Sequence, residues 1–488
     1  MASDKASWES LPQEIRLMIL RNLTHSGCSL ARHATVCREW QAVIEQSNFK
    51  RLKLTPTRLT GLGSLSHRHR RHVKYLWLCI ELQEYDCSQC EKLETDDDDE
   101  ENCEIMEESM QELLHILSTW EPTGNLLLDI SVHSPSDAKH YFKHIDFESD
   151  ALPESNGTSQ AIDIHDPRHN WVNGKQTSLP PPDSMFRTFK DIEMSPDFWR
   201  DLPEVRVVTG LLLRRQTRRR WEPSGIEKLI KLLPALQEIH YEPWREWSKV
   251  EKLFTGISTG RFLKSLIPNQ LQSMILFEDF IDEYETQNNT LDHLIDQGLF
   301  RKTLSTLGRT LAELSLGLQH LSVSFIADAG YFFQGCESAL VWNNLKSLSI
   351  TSRLLTSDQN RIKIYNLLQA AATAAMKMPR LDAMEIWNGG QDMASVFRYQ
   401  TSEENNFTAI TWRGNWGLPL EPRVIQSWEA VASTHTRSVL RVATELLDPD
   451  VVIKSHGDAI HHLRLLNQVV HPVSLWQIRK EAGHLSLT

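Results

Sequence analysis

A short unit recurs through the middle of this 488-residue chain: a leucine, two variable residues, an apolar residue, one variable residue and a second apolar residue. The clearest copies are Leu236-Gln237-Glu238-Ile239-His240-Tyr241, Leu318-Gln319-His320-Leu321-Ser322-Val323 and Leu345-Lys346-Ser347-Leu348-Ser349-Ile350. Leu271 to Leu276 and Leu381 to Ile386 follow the same pattern, and Val73 to Leu78 reads as an early copy. Alternation puts the apolar positions on one face of a short strand. In two copies a proline stops the preceding helix, in Leu233-Pro234-Ala235-Leu236 and Met378-Pro379-Arg380-Leu381. A strand–helix pair cannot bury its own apolar face, and stacking on a neighbour solves that. The starts at 236, 271, 318, 345 and 381 are spaced 35, 47, 27 and 36 residues apart, so the array is irregular. The expected product is a curved parallel sheet with helices outside.

The first fifty residues differ in kind. Ser10 can cap a helix, with Gln13 closing a capping box and Pro12 in the first turn. Ile15, Leu17, Met18, Ile19, Leu20 and Leu23 then crowd nine positions. One packed face needs about half of these, so the helix needs two burying surfaces, the second most naturally a partner protein. Thr24-His25-Ser26-Gly27 breaks the helix. A second helix is expected over Leu30 to Val36 and a third from Cys37 through Trp40 and Val43-Ile44.

Leu11-Pro12-x-Glu14-Ile15, then Ile19-Leu20 and Leu23, then Val36-Cys37-Arg38-x-Trp40, resemble the F-box in order and spacing. The resemblance covers residues 7–50, about a tenth of the chain. It implies a three-helix module that packs Leu11, Pro12, Ile15, Ile19, Leu23, Val36, Cys37 and Trp40 on a Skp adaptor subunit. Residues 51–488 resemble the irregular leucine-rich α/β domains that follow F-boxes in many fungal proteins, so the fold class expected is α+β overall. The implied function is a non-catalytic substrate receptor of an SCF-type cullin–RING ubiquitin ligase. Its partners would be the adaptor, the cullin complex through that adaptor, and an unidentified protein target. The alternatives are an adaptor-binding protein acting outside a ligase, and a zinc- or nucleic-acid-binding regulator.

The remaining features add limits. A net charge of −12 argues against nucleic acid as a partner. No apolar run approaches the ~20 residues of a membrane span, and the first fourteen residues are too polar for a signal peptide. Seven cysteines, an odd number without regular spacing, suit a reducing compartment, the cytoplasm or nucleus. The acidic run Asp96 to Glu101 predicts a disordered loop near 85–108, and the Ser/Asn/Pro-rich stretch a second loop at 150–182. The dense run Arg214 to Arg220 reads as a solvated basic turn, in which Arg218, Arg219 and Arg220 are candidates for binding an acidic target. Trp387, Trp412 and Trp416 are candidates for the same surface. Cys87-x-x-Cys90, with Cys79, Cys103 and His115, lacks a second tight ligand pair, so loop cysteines and no metal are expected. His456, His461 and His462 read as surface or core histidines. No nucleophile elbow, phosphate-binding loop, zinc-protease helix or dinucleotide fingerprint occurs, so neither an enzyme nor a cofactor is expected.

Overall fold

The computed structural model describes residues 8–25, 30–122, 124–147, 164–267, 270–287, 296–402, 407–436 and 438–484. Among these residues, twelve strands form one mixed sheet. They are β1 (Arg51–Leu54), β2 (Tyr75–Glu81), β3 (Leu126–His133), β4 (Val208–Leu213), β5 (Glu238–Tyr241) and β6 (Ser273–Phe277). After them come β7 (His320–Ser324), β8 (Ser347–Thr351), β9 (Ala383–Gly390), β10 (Met393–Ser402), β11 (Phe407–Gly414) and β12 (Leu440–Leu446). Strand order in the sheet follows chain order throughout. From β1 to β9 every pairing is parallel; β9–β10 and β10–β11 are antiparallel, and β11–β12 is parallel again. Parallel neighbours need a crossover, and helices such as Lys249–Ser265, Gln297–Leu314 and Arg361–Ala375 supply it.

The recurrent unit explains the register. Ile239, Met274, Leu321, Leu348 and Met384 lie side by side across β5 to β9. The leading leucines 236, 271, 318, 345 and 381 are all buried. The residue after each leucine links to the next copy, Gln272 N–H donating to Gln237 O (2.8 Å), Gln319 to Gln272 (2.7 Å), Lys346 to Gln319 (2.8 Å) and Asp382 to Lys346 (2.7 Å). Outside the sheet, two helices touch at glycines. A Cβ on Gly308 would lie 2.5 Å from the backbone of Tyr331, and one on Gly335 would lie 2.6 Å from Cα of Arg309.

The other face of the sheet is also covered. Over β2 to β4 lies a layer that includes Tyr141, Phe142, Phe189, Trp244 and Trp247. Over the later strands the helices His456–Leu463 and Pro472–His484 return across the sheet and pack on Trp387 and Val396. Trp387 is therefore fully buried; Trp412 is fully buried too, in the main core with Phe397 and Trp428, and Trp416 packs edge-on against it at 4.7 Å. This removes the first two from any accessible target surface. Among the described residues, no helix is long and apolar enough to cross a membrane.

The first expected loop needs correction from residue 96 onward. Asp96–Ser118 is a 23-residue helix. Thr95 caps it: Oγ1 accepts from Asp98 N–H (3.2 Å), while Asp98 Oδ2 accepts from Thr95 N–H (2.9 Å). Four aspartates in the first turn suit the positive end of the helix, and Arg187 and Lys190 pair with Asp98 and Asp99. The helix then buries Met106, Met110, Leu113, Leu114 and Leu117. In the second stretch, residues 148–163 lie outside the described set, but 164–182 are folded. Trp171–Val172 pairs with Lys175–Gln176 across Asn173-Gly174, whose φ values of 50° and 74° fit a tight hairpin turn. We expect Thr95→Ala to destabilise the chain by about 1 kcal/mol in urea unfolding, whereas a disordered acidic run would leave the midpoint unchanged.

Candidate functional site

The N-terminal segment folds as a 3₁₀ turn (Trp8–Ser10), a helix (Gln13–His25), a 3₁₀ turn (Ala31–Thr35) and a helix (Arg38–Lys50). The middle helix of the expected three is thus a 3₁₀ turn. Ser10 lies one turn ahead of the first helix, and the carbonyl of Pro12 takes the first bonds, from Ile15 N–H and Arg16 N–H (both 3.1 Å). Glu39 ties the segment together, accepting from Trp8 Nε1 (3.3 Å) and Arg16 Nε (3.1 Å), while Trp8 packs on Trp40 at 5.3 Å.

At 100° per residue, Leu11, Ile15, Met18, Ile19 and Leu23 fall within an arc of about 140°, and Leu17 and Leu20 lie on the far side. Burial follows that division at Leu20, while Leu17 is half-buried. Leu20 and Ile44 are 1% and 2% exposed and form the segment's own core with Leu30. Ile15, Met18, Leu23 and Val36 are exposed by 38, 53, 37 and 61%. Pro12 and Cys37 are exposed too, and Leu11, Ile19 and Trp40 are half-buried. All eight residues singled out from the sequence therefore keep accessible surface. Met18 belongs to the same arc; its i+3 spacing from Ile15 was the available signal.

The segment is joined to the sheet without a linker, since the helix ending at Lys50 runs into β1 at Arg51. The short helix His67–Arg70 braces it: Arg68 pairs with Glu45 at 2.5 Å, and His69 stacks on Phe49 at 4.3 Å.

The arginine run is not a solvated turn. Arg214 to Arg219 are buried, and Arg220 is mostly so. Arg214 meets Asp129 at 2.5 Å. Arg215 pairs with Asp279 and forks onto Glu481 (2.8 and 2.5 Å), which also accepts from Arg218 (2.8 Å). Arg219 pairs with Glu94, and Arg220 with Asp191 (3.0 Å) and Glu246. Arg215 and Arg218 also lie over the Trp244 ring, at 4.7 and 4.3 Å. The cluster holds the helix Pro472–His484 on the sheet, and its burial removes Arg218 and Arg219 as an accessible target site. Burial alone would raise the Glu481 carboxyl, but Arg215 and Arg218 hold it well below the usual range. Burial pushes the Glu246 carboxyl the other way, up to about 7.

Between β5–β8 and the segment Leu466–Pro472 lies a cleft of about 580 Å³, lined by Glu238, His240, Ser273, His320, Ser322 and His471 among others. Its rim is fixed by Glu242, which accepts from His471 N–H and Ser474 Oγ (both 2.6 Å). The three histidines of the helix His456–Leu463 divide: His456 is buried, its Nε2 2.8 Å from Asp279 Oδ1, whereas the His461 and His462 rings meet edge-on and the His462 carbonyl accepts from Arg413 (3.0 and 3.2 Å). Of the cysteine candidates, Cys103 lies near Glu107 (3.5 Å), Cys79 near His133 (3.7 Å), and His115 bonds the carbonyl of Gln111 (2.8 Å). None of these joins Cys87 and Cys90, which instead meet His140 and His169.

Residues 8–55 match the F-box-like family, and residues 266–471 match a family of unknown function, DUF6546. No curated protein matches the chain. The chain thus carries an F-box-like domain at residues 8–55, which implies a Skp-type adaptor as a class of partner, and neither match describes a catalytic family.

The division of the first helix predicts a contrast. Ile15→Ser and Val36→Ser should each change stability by about 0.5 kcal/mol or less, while Leu20→Ala should cost about 2–5 kcal/mol; denaturant unfolding compares them. Glu481→Gln should cost about 3–5 kcal/mol, because it leaves the buried Arg218 without a carboxylate partner and Arg215 with Asp279 alone. The depressed folded-state value of Glu481 sets the sign with pH. Its stabilisation is complete above the unfolded-state value of about 4.3 and is lost as pH falls below that. The variant should therefore show a shallower acid limb than the wild type.

Proposed function

We propose that this chain is the substrate-receptor subunit of an SCF-type cullin–RING ubiquitin ligase, working in the cytoplasm or nucleus. The observation that carries the reading is the apolar arc Leu11, Ile15, Met18, Ile19 and Leu23, continued by Pro12, Val36 and Cys37, on a segment whose core is already filled by Leu20, Leu30 and Ile44. An adaptor subunit covers that arc. Residues from 51 onward form the target-holding part, a leucine-rich-repeat-like array, and the cleft beside His240, His320 and His471 is its candidate seat for a target segment.

The mechanism is proximity. An adaptor on the first helix and a target on the sheet are joined through β1 without a flexible linker, so the target is presented at a defined position. Effective concentration beside a ubiquitin-charged enzyme is then the whole contribution of the receptor. Burial of the arginine run disfavours the nucleic-acid reading, because those guanidinium groups are already paired with carboxylates.

Interface anchors of this kind cost about 2 kcal/mol or more each when truncated. The double variant Leu11→Ala, Pro12→Ala should lose co-purification with the Skp-type adaptor while its unfolding curve matches that of the wild type. Undiminished adaptor capture by a folded double variant would reject the assignment.

A further inference from the structure

Four side chains from three separate segments converge beside the layer that covers β2 to β4. Cys87 and Cys90 lie on the turn that follows β2, His140 follows the 3₁₀ turn Asp137–Lys139, and His169 ends the 3₁₀ turn Pro167–His169. One ligand atom from each falls within 4.8 Å of all the others. Cys87 Sγ is 4.0 Å from Cys90 Sγ; His169 Nε2 is 3.2 Å from Cys87 Sγ, 3.7 Å from Cys90 Sγ and 3.3 Å from His140 Nδ1. Cys90, His140 and His169 are buried, and Cys87 is half-buried.

These four separations lie close to the edges of a tetrahedron, and the two from His140 to the sulfurs are within 4.8 Å. With metal–sulfur bonds of about 2.3 Å and metal–nitrogen bonds of about 2.05 Å, its edges are about 3.8 Å between sulfurs, 3.6 Å between sulfur and nitrogen and 3.3 Å between nitrogens. Hydrogen bonding accounts less well for the cluster. A neutral imidazole has one lone pair, and Cys87 Sγ, Cys90 Sγ and His140 Nδ1 all lie within 3.7 Å of the same nitrogen of His169; the Cys90 thiol also has the Cys87 carbonyl at 3.2 Å, but Cys87 and His140 still compete for that lone pair.

The surroundings favour a ligand as well. Asp166 Oδ2 lies 2.7 Å from His169 Nδ1, and Lys143 pairs with the same oxygen at 2.8 Å, keeping the carboxylate charged. Nδ1–H of His169 therefore donates to Asp166, and the Nε2 lone pair points at the two sulfurs. A carboxylate behind a histidine is how metal-ligating imidazoles are fixed in tautomer and orientation. Tyr85 stacks on His140 at 5.4 Å, and Tyr141 meets His169 edge-on at 5.1 Å, which holds both rings in place.

We propose that Cys87, Cys90, His140 and His169 bind one structural zinc ion. Two thiolates and two imidazoles are a donor set for zinc, and four protein ligands leave no open position for catalysis. The thiols release their protons to solvent when the ion binds. The ion clamps the hairpin around Asn173-Gly174, and with it Trp171, to the turn after β2. Sequence spacing alone hid the site, because the histidines lie 50 and 79 residues beyond Cys90.

The test is metal analysis of the full-length chain, purified without a histidine tag, by inductively coupled plasma mass spectrometry. The expected result is one zinc per chain, lost in Cys90→Ser and in His169→Ala and retained in Cys103→Ser. Cobalt(II) substituted into the wild type should give the absorption of a tetrahedral site with thiolate charge transfer, a readout independent of whether any variant folds. Chelation of the wild type should lower its melting temperature. Wild-type chain without stoichiometric zinc, zinc retained in both ligand variants, cobalt without thiolate charge transfer, or a Cys87–Cys90 disulfide in place of the metal would each overturn the proposal.

Discussion

No strand–helix unit in this chain can satisfy itself. Each strand from β2 to β8 takes its backbone partners from the strands on either side, and each leading leucine is buried only because the next unit is stacked beside it. Ends and open faces of such an array must then be closed by other means. The later part of the sheet is closed by the chain's own C-terminal helices, whose docking depends on Glu481 meeting Arg215 and Arg218. Buried ion pairs of this kind add little net stability relative to apolar residues, but breaking one is costly, so the cluster specifies where the helix must sit. At the β1 edge the N-terminal helices are attached, and there the closure is incomplete: one face of the first helix is packed and the other is exposed.

That asymmetry links fold to function. A helix whose apolar residues surround most of its circumference would be a liability on a chain that worked alone. Its exposed arc contains Leu11, Ile15, Ile19 and Leu23, four of the eight residues the F-box resemblance singles out, and the segment is braced by Arg68 on Glu45 and His69 on Phe49 instead of hanging on a flexible tether. The match to an F-box-like family over residues 8–55 includes β1, so module and sheet share a strand.

Legibility in the sequence varied with the range of the interaction. The recurrent unit was readable because its signal is local, and the five copies from Leu236 to Leu381 lie as neighbouring strands in register. The first helix was readable for the same reason. The acidic run misleads because its composition masks its cap: Thr95 followed by Asp98, ahead of apolar residues at Met106, Met110 and Leu113, is a helix start. The arginine run could not be read correctly from its neighbours. Its partners Asp129, Asp279 and Glu481 are distant in sequence, so a basic cluster and a buried ion network look alike until the chain is folded. The same holds for the cysteine pair, whose neighbours His140 and His169 come from segments that carry no metal-site spacing.

The most direct measurement is quantitative mass spectrometry of proteins captured by the full-length chain and by the surface variant Ile15→Glu, Met18→Glu. The account predicts that a Skp-type adaptor and a cullin are captured by the wild type and lost together in the variant, while other captured proteins, the candidate targets, remain. An adaptor that persists on the variant, or an adaptor captured by the wild type without any cullin, would contradict it.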